Sequence, residues 1–172
     1  DKLGTVINTY KASNLLETGP HELRLTETGH VLFGIEFRTM DLTAYGGPSN
    51  ANVRGILVEY HRPGQPPLLW NTFEHFLVTD GASDVSFTSP TVNPWHGNAI
   101  EIDHDGNLLV SFRNMDEITK INSETGEIIW RLGGENNEFT FINDNLNGFS
   151  HQHGIRRLPN GNIILFDNGN LH

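Results

Sequence analysis

Three segments of the sequence repeat one pattern, and that repeat limits the fold more than any other feature. Residues 23–33 (LRLTETGHVLF), 99–112 (AIEIDHDGNLLVSF) and 155–166 (IRRLPNGNIILF) each set an apolar run, a polar turn ending in glycine and a second apolar run in a row. Two such runs flanking a Gly turn predict a β-hairpin. Asp105-Gly106 and Asn160-Gly161 are expected to supply the positive φ angles of tight turns, and Glu27-Thr28-Gly29 is a looser version. A second piece recurs between these hairpins. Residues 56–72 (ILVEYHRPGQPPLLWNT) and 118–134 (ITKINSETGEIIWRLGG) each turn at a glycine and close on a tryptophan, Trp70 and Trp130. Residues 4–10 (GTVINTY) read as the end of a further copy.

The repeating unit is thus an outer hairpin closing on Trp or Tyr, a loop, and an inner hairpin. Four strands per unit, in about three units at approximately 1–40, 53–114 and 115–172, predict an all-β chain built as β-propeller blades. Propeller rings close with about 4–8 blades, so these units make roughly half of a ring. Its open strand edges would be covered by missing sequence or by another copy of the chain.

Composition excludes several functions. The 172-residue chain carries 21 Asp and Glu against 11 Lys and Arg, a formal charge of −10, which repels a phosphate backbone and argues against nucleic-acid binding. It has no cysteine, which removes disulfides, thiolate metal sites and a cysteine nucleophile. No apolar run approaches the roughly 20 residues that span a bilayer. The chain opens at Asp1 with no signal-like segment, so it reads as a mature product or a fragment whose targeting sequence is missing.

Aligned on the inner hairpins, a histidine falls at the start of each: His21 in GPHELRL, His96 in PWHGNAI and His153 in HQHGIRRL. In a propeller, equivalent positions of successive blades lie on one face around the central axis, so these rings are expected to converge. A structural histidine bonded to an inter-blade carbonyl is the alternative for any one of them; their shared register favours a common site. Trp95, Asn98 and Arg113 accompany the middle histidine. An Arg at a strand end offers a planar fork of donors for a tetrahedral anion. Asn98, two residues beyond His96 on the same strand, is expected to donate to that anion.

With WHGN, SFRN, GEIIWRLGG, QHG and FDNG in this order, the chain resembles the aryl-sulfate sulfotransferases, propeller enzymes that move a sulfuryl group between phenols without a nucleotide donor. The resemblance covers nearly the whole chain. It implies that His153 is the nucleophile, that His96, Asn98 and Arg113 belong to the sulfuryl site, and that His21, followed by Glu22, is a further catalytic histidine. The family's W-x-H-x-N element is similar to Trp95 through Asn98, but here Trp95 directly precedes His96. The resemblance further implies aryl sulfate and phenol as substrates, no cofactor, no metal, and a periplasmic or secreted location.

Two other readings fit the residues. His151 and His153 form a possible chelating pair for a metal-dependent hydrolase or lyase, although no carboxylate stands at a matching inner position. A non-catalytic propeller could also hold a sulfated or carboxylated ligand on the same histidines and Arg113. The Asn143–Gly148 stretch partly resembles a calcium loop but has Gly154 where a distal Glu is required, and 103–106 (DHDG) reads as hairpin-turn chemistry.

Overall fold

Alternating apolar residues are realised as strands along the chain. The computed structural model describes residues 4–27 and 29–172; Thr28 of the first hairpin turn, and residues 1–3 of the first unit, lie outside them. β1 (Glu17–Thr26), β2 (Gly29–Met40), β3 (Ala51–His61) and β4 (Leu68–Asn71) form an antiparallel sheet in that order, with the short β5 (Thr91–Val92) parallel to the start of β3. β6 (Gly97–Ile102), β7 (Leu108–Phe112), β8 (Glu117–Ile121) and β9 (Ile128–Gly133) form a second antiparallel sheet. β10 (His153–Arg157) and β11 (Ile163–Phe166) pair antiparallel as a third. The protein is all-β, and none of its sheets closes on itself among the described residues.

The sheets divide the chain differently from the sequence repeat. Each of the first two inner hairpins bonds to the outer hairpin that follows it, so β1–β4 and β6–β9 are sheets, whereas the repeat units pair each outer hairpin with the next inner one. β1, β6 and β10, the first strands of the three sheets, adjoin one another.

The middle sheet is buried on both faces, which explains its near-continuous apolar strands. Ile100, Leu108, Val110, Phe112 and Ile121 pack toward the first sheet with Phe33, Val53, Val58 and Trp70. The intervening Ala99, Leu109 and Ile118 pack toward the third sheet with Ile155, Ile163 and Leu165. This is the two-residue period of a strand. Burying each of the largest side chains contributes about 1.5–3 kcal/mol, so Trp70, Phe33 and Phe112 dominate the joint between the first two sheets.

The hairpin turns are wider than the sequence suggests. Gly106 N–H donates to Asp103 O at 2.9 Å, and Asp103 N–H to Asn107 O at 2.8 Å, closing a loop around a four-residue turn. Only Gly106 (φ 81°) takes a positive φ there; Asp105 does not, and Asn160-Gly161 repeats the arrangement with Gly161 at φ 86°. Asp103 is also an inter-sheet anchor. It accepts from Lys120 Nζ at 2.7 Å and from Arg157 Nε at 2.7 Å, so the DHDG turn is braced by β8 within the middle sheet and tied to β10 of the third. The Asn143–Gly148 stretch is a polar turn: Asp144 accepts from the backbone N–H groups of Leu146 and Gly148 at 3.0 and 2.9 Å.

The first strands are laced by charge. Arg24 of β1 meets Glu101 of β6 at 3.0 Å, and Arg156 of β10 meets Glu22 of β1 at 3.0 Å. Farther out, Trp70 Nε1–H donates to Gly126 O at 3.0 Å and Arg62 bonds Ser123 O and Glu124, joining the outer hairpins of the first two sheets.

Candidate active site

Because β1, β6 and β10 adjoin, the histidines that introduce the second and third and sit within the first come together. The His21 ring lies 5.0 Å from that of His96 and 6.5 Å from that of His153. His21 is exposed, while His96 and His153 are half-buried, so the cluster opens on the His21 side.

His96 sits in an unusual place for its residue type. Its φ is 46°, in the left-handed region, at the point where the chain leaves β5 and enters β6. Asn93 supports it twice: His96 N–H donates to Asn93 Oδ1 at 3.2 Å, and the amide nitrogen of Asn93 lies 2.9 Å from His96 Nδ1. The first bond fixes which end of the amide is oxygen, so Asn93 Nδ2 is the donor to Nδ1. The ring proton of neutral His96 therefore sits on Nε2. Burial, reinforced by His21, Arg54, Arg113 and His153, lowers the pKa of His96 to about 4. His96 is thus an uncharged Nε2–H donor at neutral pH.

The opposite tautomer is imposed on His153. Its Nδ1 lies 3.0 Å from the backbone oxygen of His151. A carbonyl only accepts, so Nδ1 carries the proton and Nε2 keeps the lone pair. The preceding Gln152 is fully buried and donates its amide to Ser111 Oγ (3.0 Å), Phe112 O (3.3 Å) and Glu117 O (3.0 Å). The Q-H pair is consequently an anchor followed by a ring held at the mouth of β10.

Asn98 is 5 % exposed, and its amide donates to Gln152 O at 2.7 Å. One of its two amide protons is thereby committed to holding the Q-H segment, and its Oδ1 meets no hydrogen-bond partner among the described residues. Arg113 follows β7, its N–H donating to His96 O at 2.9 Å and its guanidinium to Asn114 Oδ1 at 2.7 Å. It lines a polar pocket of about 250 Å³ with Asn93, Asn114 and Asp84.

Trp95 stands apart from the cluster. At 1 % exposure it is packed in the core. Its ring meets Phe73 edge-on at 5.0 Å, and Nε1–H donates to Leu77 O at 3.1 Å.

Arg54 was not singled out from the sequence, yet its charge lowers both His21 and His96. Its Nε is buried without a hydrogen-bond partner among the described residues. The signal was available: an arginine inside the apolar strand ANVRGILVEYH. For His21 burial is the larger cause of a lowered pKa, followed by His153 and Arg54.

His151 and His153 do not form a chelating pair. His151 turns its Nε2 to Asp84 at 3.1 Å, and His153 faces the other histidines. Among the described residues no group of three or more His, Asp and Glu side chains is arranged to hold a metal ion.

Three histidine rings, with Arg54 and Arg113 acting on His96, make a site suited to an anion. The family model described as Arylsulfotransferase (ASST) matches residues 1–172. The chain belongs to the arylsulfotransferase family. A search of individually curated proteins finds no match. In an arylsulfotransferase the order of the motifs acquires a spatial sense: WHGN and QHG lie far apart in sequence, and the Asn98–Gln152 bond joins them directly.

Proposed function

We propose that this chain carries the transfer site of an aryl-sulfate sulfotransferase that works through a sulfo-histidine and needs no nucleotide donor. The observation that carries the reading is the tautomer pair, a lone pair on His153 Nε2 beside a neutral Nε2–H donor on His96. His153 Nε2 attacks the sulfur of an aryl sulfate, forming an N–S bond as the S–O bond to the aryl group breaks. Arg113, Arg54, His96 and the remaining amide proton of Asn98 hold the sulfuryl oxygens as negative charge redistributes. His21, the most exposed ring, donates a proton to the departing phenolate. It then takes one from the phenol that attacks the sulfo-histidine, restoring free His153. Sulfuryl transfer resembles phosphoryl transfer, in which positioning and charge stabilisation carry most of the catalysis.

The reading takes the stacked antiparallel sheets to be blades of a propeller. Four-stranded antiparallel sheets stacked face to face, with their first strands adjoining, are the arrangement of neighbouring blades, and a ring completed by further sequence or another copy would enclose the histidines. The test is incubation with a chromogenic aryl sulfate, followed by mass spectrometry of the histidine peptides. A sulfo adduct on His153, discharged by added phenol and missing in His153→Asn, is the expected result. Phenol release that persists in His153→Asn refutes the nucleophile.

A further inference from the structure

The neutral His153 ring can place its proton on either nitrogen, and only one choice leaves Nε2 free to attack. What makes that choice is a backbone carbonyl. His151 O accepts from His153 Nδ1 at 3.0 Å, and so stands where a carboxylate stands in many catalytic dyads. A carbonyl in a loop is a loose guide unless the peptide bearing it is fixed. Here the His151 peptide is held on both sides. Upstream, His151 N–H donates to Asp116 Oδ1 at 2.6 Å, and downstream Gln152 is fixed by its three bonds to Ser111, Phe112 and Glu117.

His151 itself is an improbable residue for its conformation. It takes φ 52° at 2 % exposure, a left-handed backbone that glycine adopts without cost. Its ring is locked on Asp84 at 3.1 Å. Asp116, likewise left-handed at φ 53°, caps the turn between β7 and β8 and so comes from the middle sheet, not from the loop it restrains. Burial raises the pKa of Asp116, although the bond from the His151 backbone opposes the rise. Asp116 also lies 4.0 Å from His151 Nε2, so it holds both the backbone N–H and the ring of this one residue. The residue whose N–H it holds also bears the carbonyl that orients the His153 ring.

We propose that Asp116 is a positioning residue for His153: through the His151 peptide it aims the His151 carbonyl at His153 Nδ1 and so keeps the Nε2 lone pair available. The inference rests on the reading of His153 as nucleophile, but its test does not require turnover. Nitrogen-15 NMR of the histidine rings distinguishes the two tautomers, and the His153 signals are assigned by their loss in His153→Gln. The full chain is expected to show His153 protonated at Nδ1. Asp116→Asn, which keeps an accepting oxygen, should preserve that tautomer and most of the activity. Asp116→Ala should move His153 toward the Nε2–H form and lower kcat by about 10- to 100-fold with KM within about twofold. An Nε2–H tautomer in the unaltered protein overturns the proposal whether or not Asp116→Ala folds. So does an Asp116→Ala protein that keeps the Nδ1–H form. A tautomer that switches as described in a protein without sulfotransfer activity supports the role of Asp116 and refutes the sulfotransferase reading instead.

Discussion

Acid should destabilise this protein through His96, by an amount the site itself sets. The folded ring is lowered to about 4, chiefly by burial and then by His21 and Arg54, against 6.5 for an unperturbed histidine. From 6.5 down to about 4 the unfolded chain therefore binds more protons than the folded one, and stability falls as pH falls. It is fully present above 6.5. Taking pH from about 7.5 to about 5 crosses roughly 1.5 units of that window, worth about 2 kcal/mol at 1.36 kcal/mol per unit. The ring is only half-buried, and solvent screening reduces this to roughly 1 kcal/mol. His21, His30 and His75 are lowered too and share the sign, so the comparison must isolate one ring. His96→Asn does so, because Asn tolerates the left-handed backbone at φ 46°. Urea unfolding at the two pH values should show the variant losing about 1 kcal/mol less than the parent. Parallel losses in parent and variant refute the burial and cationic field assigned to His96.

The Arg131 fork accepts no substitute easily. It binds the buried Glu117 at 2.8 and 2.9 Å and reaches Asp80 at 3.2 Å, so Arg131→Leu should cost about 3–5 kcal/mol in denaturant unfolding; Glu117→Gln added to it should recover part of that loss. Arg54→Gln should lower kcat about tenfold and raise the NMR-measured pKa of His96, since both effects come from one charge. Trp95→Phe should cost about 1 kcal/mol, for the lost bond to Leu77 O, and leave KM unchanged; a several-fold rise in KM would return Trp95 to the substrate.

Much of this site was legible as register. The inner hairpins are local objects, so their recurrence in the sequence placed His21, His96 and His153 at equivalent positions, and the rings meet. The motif order also singled out Asn98, which bonds Gln152 O, and Arg113, whose N–H bonds His96 O. What register does not carry is the direction a side chain takes once the backbone departs from a regular strand. His96 and His151 are left-handed, and a register shift falls between Gly97 and Ala99, so the strand parity that put Asn98 beside His96 does not apply there. Trp95, one residue earlier, turns into the core. Arg54 escaped because it lies in no repeat unit's histidine position and acts on His21 from two strands away in the same sheet and on His96 from the neighbouring one. Asp84 and Asp116 lie 67 and 35 residues from His151, and no local pattern links them.

A site made of lowered histidines raises the question of where the proton for the departing phenolate resides. His96 is too weakly basic to hold it at neutral pH, and its Nε2–H is better suited to donating without transfer. His21 is lowered as well, by burial, His153 and Arg54. In the substrate-free protein the proposed general acid therefore favours its unprotonated form. An arriving sulfate ester changes this, because its negative charge offsets Arg54 and favours the charged form of His21. At about 5 Å and an effective dielectric near 20 one charge is worth up to about 3 kcal/mol. On the proposed mechanism the substrate would thus load the proton that its own departure consumes. An unreactive aryl sulfonate should bind with net proton uptake at neutral pH, seen as a binding enthalpy that changes with the ionisation enthalpy of the buffer. His21→Ala should abolish most of that dependence. Buffer-independent enthalpies in the unaltered protein refute His21 as the acid, and require that the phenolate leave without a proton from this cluster.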